Sequence, residues 1–250
     1  MTPQTTIRLI DVHAHTGAMP LTTFATGAAD LERMEAEAGV VKAVVSSARA
    51  VFYEMVTGNR ETFDLTRTSP MLYMYIYVDP HRPDESLAEI EKYAGLPHVA
   101  GIKSRSDYHG LPADCDEYLR IYKAAVRHEL PMLMHAFGAG TVKECVRAAE
   151  KTGLRMILGH MGGPEWRQAV DAAKDSKHVW LDACASMNDY DKIGYALDVV
   201  GPGRIVFGSD AVLINPWWTL SMFESAGLAD AEKQAIYHDN ALGIFGRRLA

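Results

Sequence analysis

The chain has 250 residues, 48% of them hydrophobic, with a formal net charge of −7 and a sequence pI near 5.8. That length suits one large domain or two small ones, and the apolar fraction excludes a disordered chain. The acidic balance argues against a nonspecific nucleic-acid or anionic-membrane partner and bears little on a small substrate.

Three cysteines, Cys115, Cys145 and Cys184, lie far apart and leave one unpaired, so no disulfide scaffold is expected. The first six residues carry neither a basic region nor a long apolar run. No signal peptide or membrane span is therefore expected, and a cytoplasmic protein is the default. No low-complexity tract or Gly/Pro/Ser linker divides the sequence, so residues 1–250 read as a single domain.

Eight short apolar runs rich in β-branched residues follow one another, at 7–12, 42–46, 71–78, 99–103, 131–135, 156–160, 179–183 and 205–209. Amphipathic stretches at helical period lie between them. Leu87, Ile90, Glu91 and Ala94 mark one, and Tyr118, Leu119, Tyr122, Ala125 and Val126 mark the next. Asp84-Glu85 and Asp114 supply caps or first-turn acids, and Gly153 a stop. The stretch 229–249 reads as a terminal helix with Ala235, Ile236, Leu242 and Phe245 at apolar positions.

His13 and Asp210 are 197 residues apart, or about 28 residues per strand–helix step over seven steps, close to the length of a βαβ unit. Eight such units predict an α/β fold of the parallel (β/α)₈ TIM-barrel type with a C-terminal helix. A doubly wound open sheet is the alternative. It would usually carry a Gly-rich nucleotide-binding turn after its first strand, and His13-Ala14-His15-Thr16-Gly17 contains none.

Polar residues gather where the strands end, which in a barrel is the catalytic face. His13 and His15 end the first run, Lys103 the fourth, His135 the fifth, His160 the sixth and Asp210 the eighth. Residues i and i+2 of a strand share a face, so the two histidines of the first run can approach one cation together. Alternation also places Pro131, Leu133 and His135 on one face, Met156, Leu158 and His160 on another, and Val206, Gly208 and Asp210 on a third.

Three histidines and an aspartate suit a borderline divalent ion, most simply Zn²⁺, with Mn²⁺, Fe²⁺ and Co²⁺ also acceptable. The expected ligands are His13, His15, His135 and Asp210, around one ion rather than two. His160 then stands beside a bound water as proton shuttle or electrostatic stabiliser, and Asp210 can also accept a proton through its second oxygen.

Asp11-Val12-His13-Ala14-His15, Gly101-Ile102-Lys103, Met134-His135, Gly159-His160-Met161-Gly162-Gly163 and Phe207-Gly208-Ser209-Asp210 resemble, in order and spacing, the motifs of the amidohydrolase superfamily. The closest resemblance is to its amidohydrolase-2 branch, which includes small metal-dependent hydrolases, sugar lactonases and the aminocarboxymuconate semialdehyde decarboxylase group. The ending 238–245 resembles that branch's closing helix.

The resemblance implies the ligand and shuttle roles given above, and a homodimer, since dimers are common in the branch. It also places Lys103 where binuclear members carry a carboxylated lysine bridging two metals, although many branch members hold an unmodified lysine there. Asp11 shares the parity of His13, so an Asp11–Lys103 ion pair is an alternative use for both. The branch's decarboxylases usually carry longer inserts after the first strand than the short connection 16–28 present here.

Around the expected open face, Arg105 is the first candidate to grip a substrate carboxylate, because guanidinium binds such groups in two-pronged fashion. Arg49 is a second, and Trp217, with Trp218, a candidate pocket floor. Tyr53, Tyr77 and His109 lie nearby. Asp182 is placed to hydrogen-bond a ligand histidine, and Cys184 shares its face without an adjacent base that would make it a nucleophile.

These residues predict a metal-dependent hydrolase of a small, carboxylated or cyclic ester, lactone or amide. A nonoxidative decarboxylase of an unsaturated or aromatic acid is the alternative, and a barrel that binds without catalysis a further one.

Overall fold

The computed structural model describes residues 7–20, 25–184 and 189–249. Among them nine strands form one sheet: β1 Leu9–Ala18, β2 Ala25–Thr26, β3 Val40–Ser47, β4 Leu72–Tyr77, β5 Val99–Arg105, β6 Met132–Phe137, β7 Met156–Gly162, β8 Val179–Asp182 and β9 Ile205–Val206. The strand order is β2-β1-β3-β4-β5-β6-β7-β8-β9. All neighbours are parallel except β1 and β2, which pair antiparallel through Gly17–Thr26 and Ala18–Ala25.

The eight expected runs are β1 and β3 to β9. β2 falls outside them, since two residues are too few to show alternation. Each parallel crossover carries a helix, as parallel pairing requires. The helix Pro83–Tyr93 opens on Pro83 with Asp84 and Glu85 in its first turn, and Gly153, at φ +74°, ends the helix Ala139–Thr152. The helix Asp116–Arg127 is preceded by Cys115 at its cap, one residue after Asp114.

The sheet curls until the segment beyond β9 meets β1. Val12 N–H donates to the Phe207 carbonyl at 3.0 Å and Asp210 N–H to that of His13 at 2.8 Å. Ala14 and Ala211 form an isolated parallel bridge. Ile10, Val12, Val44, Tyr75, Leu133, Ile157 and Val206 pack together on the concave face. Their neighbours Leu9, Val45, Met132, Met134, Met156, Leu158 and Leu181 pack with the helices outside.

Ala241, Ile244, Phe245 and Leu249 join the concave cluster at the end where the strands begin, with the Phe245 ring 6.1 Å from that of Tyr75. Arg248 beside them donates to the carbonyls of Ala94 and Val99. The terminal helix is broken into Asp230–Gln234, a π turn at Ala235–Asp239, Asn240–Phe245 and a final 3₁₀ turn Gly246–Leu249. With that end filled, the strands' C-terminal ends are left as the mouth.

Two irregularities in register correct the simple alternation. Opposite β3, Asp11 pairs with Ala43 and Ala14 with Val45, so β1 carries one extra residue. Ile10 and Val12 face the concave side below it, and His13 and His15 above it. Opposite β6, His135 pairs with Gly159 and Phe137 with Gly162, so β7 also carries one extra residue. Met156 and Leu158 therefore face the helices, against expectation, and His160 reaches the concave side only because it sits at φ +69°.

Candidate active site

His13 is wholly buried at the centre of the mouth. Its Nδ1 lies 2.7 Å from Asp182 Oδ2, and a carboxylate in that position can only accept, so the proton sits on Nδ1 and the Nε2 lone pair points into the site. Two glycines make room for this pair. A Cβ on Gly208 would stand 2.5 Å from Asp182 Oδ1, and one on Gly159 would stand 3.0 Å from the His13 ring. Asp182 Oδ1 takes Cys184 N–H at 2.9 Å, and Oδ2 takes the Cys184 thiol at 2.9 Å.

Asp210 Oδ1 lies 3.2 Å from His15 Nε2 and 3.6 Å from His13 Nε2. His13, His15 and Asp210 each present one donor atom within 4.8 Å of the others. The Ser46 hydroxyl, at the end of β3, meets His15 Nδ1 at 3.0 Å and orients that ring. Asp210 itself is held at φ +63°, a conformation that costs an L residue about 1–2 kcal/mol. Lys103, buried, places Nζ 2.8 Å from His13 Nε2 and donates to the lone pair a cation would use.

Burial pushes His13 and His135 well below the usual imidazole range and lowers His15; it brings His160 down to about 4 and Lys103 to about 8. The same burial opposes charge on Asp210. The hydrogen bond from His15 and the attraction of the surrounding histidines outweigh it and hold the carboxyl well below its ordinary value. The site thus offers neutral imidazoles and a carboxylate anion, the protonation states that metal ligation requires.

His135 belongs to a different arrangement from the trio. Arg105 Nη2 lies 3.1 Å from His135 Nε2, His135 Nδ1 lies 2.9 Å from His160 Nε2, and His160 Nδ1 lies 3.1 Å from the Cys184 carbonyl. A guanidinium can only donate and a carbonyl can only accept. The chain of donors therefore runs one way, from Arg105 through His135 and His160 to Cys184. These bonds offset the left-handed backbone at His160.

Asp11 turns away from Lys103, correcting the ion pair its parity suggested. Its carboxylate accepts His13 N–H at 2.8 Å and Ser209 N–H at 3.1 Å, together with the Ser209 hydroxyl. It thereby ties the bulge that carries His13 to the segment that carries Asp210. Burial pushes Asp11 up to about 7, and burial with the nearby Asp11 charge holds Glu35, on the helix Ala28–Glu37, well above the usual range.

A cavity of about 290 Å³ opens above these groups. His15, Lys103, His135, His160 and Asp210 form its floor, and Arg105 stands in its wall. The Arg105 guanidinium lies 3.3 Å from the Tyr108 ring centroid and 5.6 Å from that of Phe52, and its buried Nε has no hydrogen-bond partner among the described residues.

Arg49 does not take part. It pairs with Glu61 at 3.0 Å on the surface, where such pairs contribute about 0–1 kcal/mol. Trp217 is 53% exposed and absent from the lining, which Leu213 and Ile214 supply instead. Tyr77 is buried, with its hydroxyl 3.1 Å from His109 Nε2, and Tyr53 is exposed.

Met19, Phe52, Asp107, Tyr108 and Phe137 were not singled out from sequence. Phe137 had a usable signal, since it follows His135 by two residues on the same face. The short helix Ser106–His109 that presents Asp107 and Tyr108 has too few residues to show a period.

The donor set is chemically suited to a divalent cation: two imidazole nitrogens and a carboxylate oxygen, with His13 backed by a buried carboxylate. A second set, His13, His160 and Cys184, has the same compactness, but His160 Nδ1 is committed to a carbonyl and burial beside Asp182 keeps the Cys184 thiol protonated.

A family model described as Amidohydrolase matches residues 10–247. No curated protein matches the chain in sequence. Among solved structures, 2,6-dihydroxybenzoate decarboxylase from Rhizobium superposes with a TM-score of 0.75 at 14% identity, covering 95% of this chain and 98% of that one. A candidate 2-pyrone-4,6-dicarboxylic acid hydrolase from Pseudomonas putida gives 0.75 at 17%, covering 96% and 98%. The 5-carboxyvanillate decarboxylase of Novosphingobium aromaticivorans, solved with manganese and 4-hydroxy-3-methoxy-5-nitrobenzoic acid, gives 0.75 at 15%, covering 96% of each chain. At such identities the likeness speaks to fold alone. With the family model spanning nearly its whole length and the histidine–aspartate motifs meeting at one mouth, the chain belongs to the amidohydrolase-2 branch of the amidohydrolase superfamily.

Proposed function

We propose that this chain is a metal-dependent hydrolase of a small, planar, carboxylated ester, lactone or amide. One juxtaposition carries the reading: the trio His13, His15 and Asp210 at the floor of a small cavity whose wall holds Arg105 on an aromatic shelf. Eight parallel strands closed as a (β/α)₈ barrel, and one domain over 1–250, would provide the frame.

When bound, a divalent cation supplies Lewis acidity, polarising a carbonyl and acidifying water. His13 and His15 would hold it through imidazole nitrogen and Asp210 through carboxylate oxygen, with His135 the nearest further candidate. Zinc and manganese both suit these donors, and the Novosphingobium relative was solved with manganese. One ion is favoured over two, because among the described residues His13, His15 and Asp210 are the one compact donor set made of neutral imidazoles and a carboxylate.

Asp210, held anionic, is the base that accepts the proton of the attacking water. His160, neutral near pH 7 with its N–H given to the Cys184 carbonyl, borders the cavity and steadies His135 through Nε2, and the proton taken up by Asp210 is the one returned to the leaving group. Arg105 grips the substrate carboxylate, while Phe52, Tyr108 and Phe137 flank the planar body.

Decarboxylation is the second reading, supported by the aromatic wall and by the aromatic-acid decarboxylases of the same fold. The position of Arg105 favours hydrolysis. A carboxylate clamped by guanidinium is stabilised as an anion, which makes it a handle rather than a group about to leave as CO₂.

The test is product analysis with metal-loaded protein on carboxylated lactones and aryl esters beside hydroxybenzoic acids. Release of acid and alcohol supports hydrolysis. Release of CO₂ from the benzoic acids alone selects the decarboxylase, and full turnover by metal-stripped protein refutes both.

A further inference from the structure

The cavity has two chemically different sides. Arg105, on β5, brings a cation to one of them, while Lys103, the other cation of the lining, lies in the floor against His13. In strand order β5 stands three places from β1 and four from β9. Arg105 is therefore across the mouth from the seam where the segment beyond β9 meets β1. That seam presents Met19 and Pro20 from just past β1, and Leu213 and Ile214 from the turn after Asp210.

The apolar side is tied directly to the donor trio. Leu213 N–H and Ile214 N–H both donate to the Asp210 carbonyl, at 3.0 and 3.2 Å, so the residue that offers a carboxylate to a cation also fixes the turn carrying these two side chains. The sequence keeps charge away from the seam, since residues 16–29 and 211–223 contain no Asp, Glu, Lys, Arg or His. A carboxylate placed there would lose its hydration among hydrocarbon, with no cationic side chain from either segment to receive it. The cavity, at about 290 Å³, lies at the low end of the range for small-molecule sites, about 300–1,000 Å³. Leu213 is 38% exposed, so its side opens to the surface and gives a longer hydrocarbon group a way out.

We infer that the substrate carries a single carboxylate, directed to Arg105, and a hydrocarbon group on the far side of the reacting carbonyl, received by Met19, Pro20, Leu213 and Ile214. This deepens the hydrolase reading proposed above and rests on it. His13, His15 and Asp210 lie at the seam, so a carbonyl above them has Arg105 on one hand and the four apolar side chains on the other. Diacids are rejected, because their second charge falls on the side without a cation. Leu213 is the discriminating residue, since it lines the cavity and yet meets solvent.

Binding is read by calorimetry in metal-free protein, where no carboxylate can ligate an ion, with benzoate, 4-methylbenzoate, 4-butylbenzoate and terephthalate. Each added methylene is expected to tighten binding about twofold, less than the fourfold or so of full burial because Leu213 leaves one side in water. Terephthalate is expected to bind about tenfold more weakly than benzoate. Leu213→Lys is expected to reverse the order, with terephthalate the tightest ligand and the alkyl gain reduced. Damage to the fold would weaken every ligand together and cannot produce that reversal.

Should Leu213→Lys fold poorly, ester hydrolysis by the Mn²⁺-loaded wild type provides the second arm. Monobutyl succinate is expected to exceed monomethyl succinate in kcat/KM by about eightfold, or twofold for each of three methylenes. Equal affinity for benzoate and 4-butylbenzoate, or a wild-type preference for terephthalate, would overturn the inference and leave the hydrolase reading standing. So would an alkyl gain undiminished in Leu213→Lys, which would place the hydrocarbon elsewhere. Failure of every acid to bind overturns it too. Absence of hydrolysis with either ester, the binding series holding, removes the hydrolase reading alone, because the benzoates carry no bond to be cut.

Discussion

His13 gives its Nδ1 proton to Asp182 Oδ2 at 2.7 Å, and that one bond decides which nitrogen of the ring faces the mouth. Asp182 also receives the Cys184 amide on Oδ1, so both carboxylate oxygens act as acceptors. Asn in its place must turn an NH₂ group toward one of these donors.

Asp182→Asn therefore either loses the Cys184 amide bond or drives the His13 proton to Nε2, where it blocks ligation. Metal affinity is expected to fall about 10–100-fold, the usual effect of losing an orienting carboxylate. A competition titration against a chromophoric chelator measures it. Wild-type affinity in the variant would mean that His13 is oriented by something else.

Gly208 is constrained by the same pair. The added methyl of Gly208→Ala would stand 2.5, 2.7 and 2.9 Å from Oδ1, Cγ and Oδ2 of Asp182, too close for any of the three. Moving the carboxylate breaks its bonds to His13 and Cys184 in the core. A loss of about 2–4 kcal/mol is expected from overpacking and unpaired buried groups together. Urea denaturation measures it, with metal uptake falling in parallel. A variant as stable as the wild type would show that Asp182 has room to retreat.

Strand periodicity carried most of the architecture. All eight parallel strands were legible because each is a short apolar run at the centre of a βα unit, and β6, with Leu133 and His135 inward and Met132 and Met134 outward, alternates as read. The errors fall where one residue is inserted. The bulge after Asp11 separates it from the face of His13 and sends it to Ser209 and Glu35, and the one near His160 reverses Met156 and Leu158. A bulge is set by pairing with the neighbouring strand, which no single run of residues displays.

The site divided in the same way. His13, His15 and Asp210 meet as their strand-end positions implied, and Asp182 backs a histidine as expected. His135 is on the expected face but is engaged by Arg105, a contact between β5 and β6 that depends on side-chain reach rather than spacing. Arg49 and Trp217 lie near strand ends in the sequence. Their outward direction is fixed by Glu61 and by the start of the helix Pro216–Ser225, neither of which a strand pattern encodes.

Acid weakens this protein through His160. Its folded value of about 4 lies below the ordinary 6.5 because burial penalises the imidazolium. The unfolded chain therefore takes up a proton first as pH falls. The stability is fully present above about 6.5 and is lost as pH falls through 4, about 3 kcal/mol for a shift of this size. His160→Gln carries no titrating group, so in metal-free protein the wild-type advantage over it is expected to shrink between pH 6.5 and 4. Parallel stability curves for the two proteins would contradict this.

Glu35 predicts the opposite slope. It is buried on the helix Ala28–Glu37 beside Asp11, and burial, the Asp11 charge and a hydrogen bond to Asp11 all raise its value. Here the unfolded chain releases its proton first as pH rises, so the contribution is fully present below the ordinary value of 4.5 and is lost on the alkaline side. Glu35→Gln keeps the shape of the protonated acid and cannot ionise. It is expected to match the wild type near pH 4 and to become progressively more stable than it by pH 8. Each kcal/mol gained should raise Tm by about 2–4 °C for a chain of this size. Calorimetric scans at the two pH values read the difference directly, and a gap that narrows with rising pH would mean that Glu35 is ionised in the folded protein.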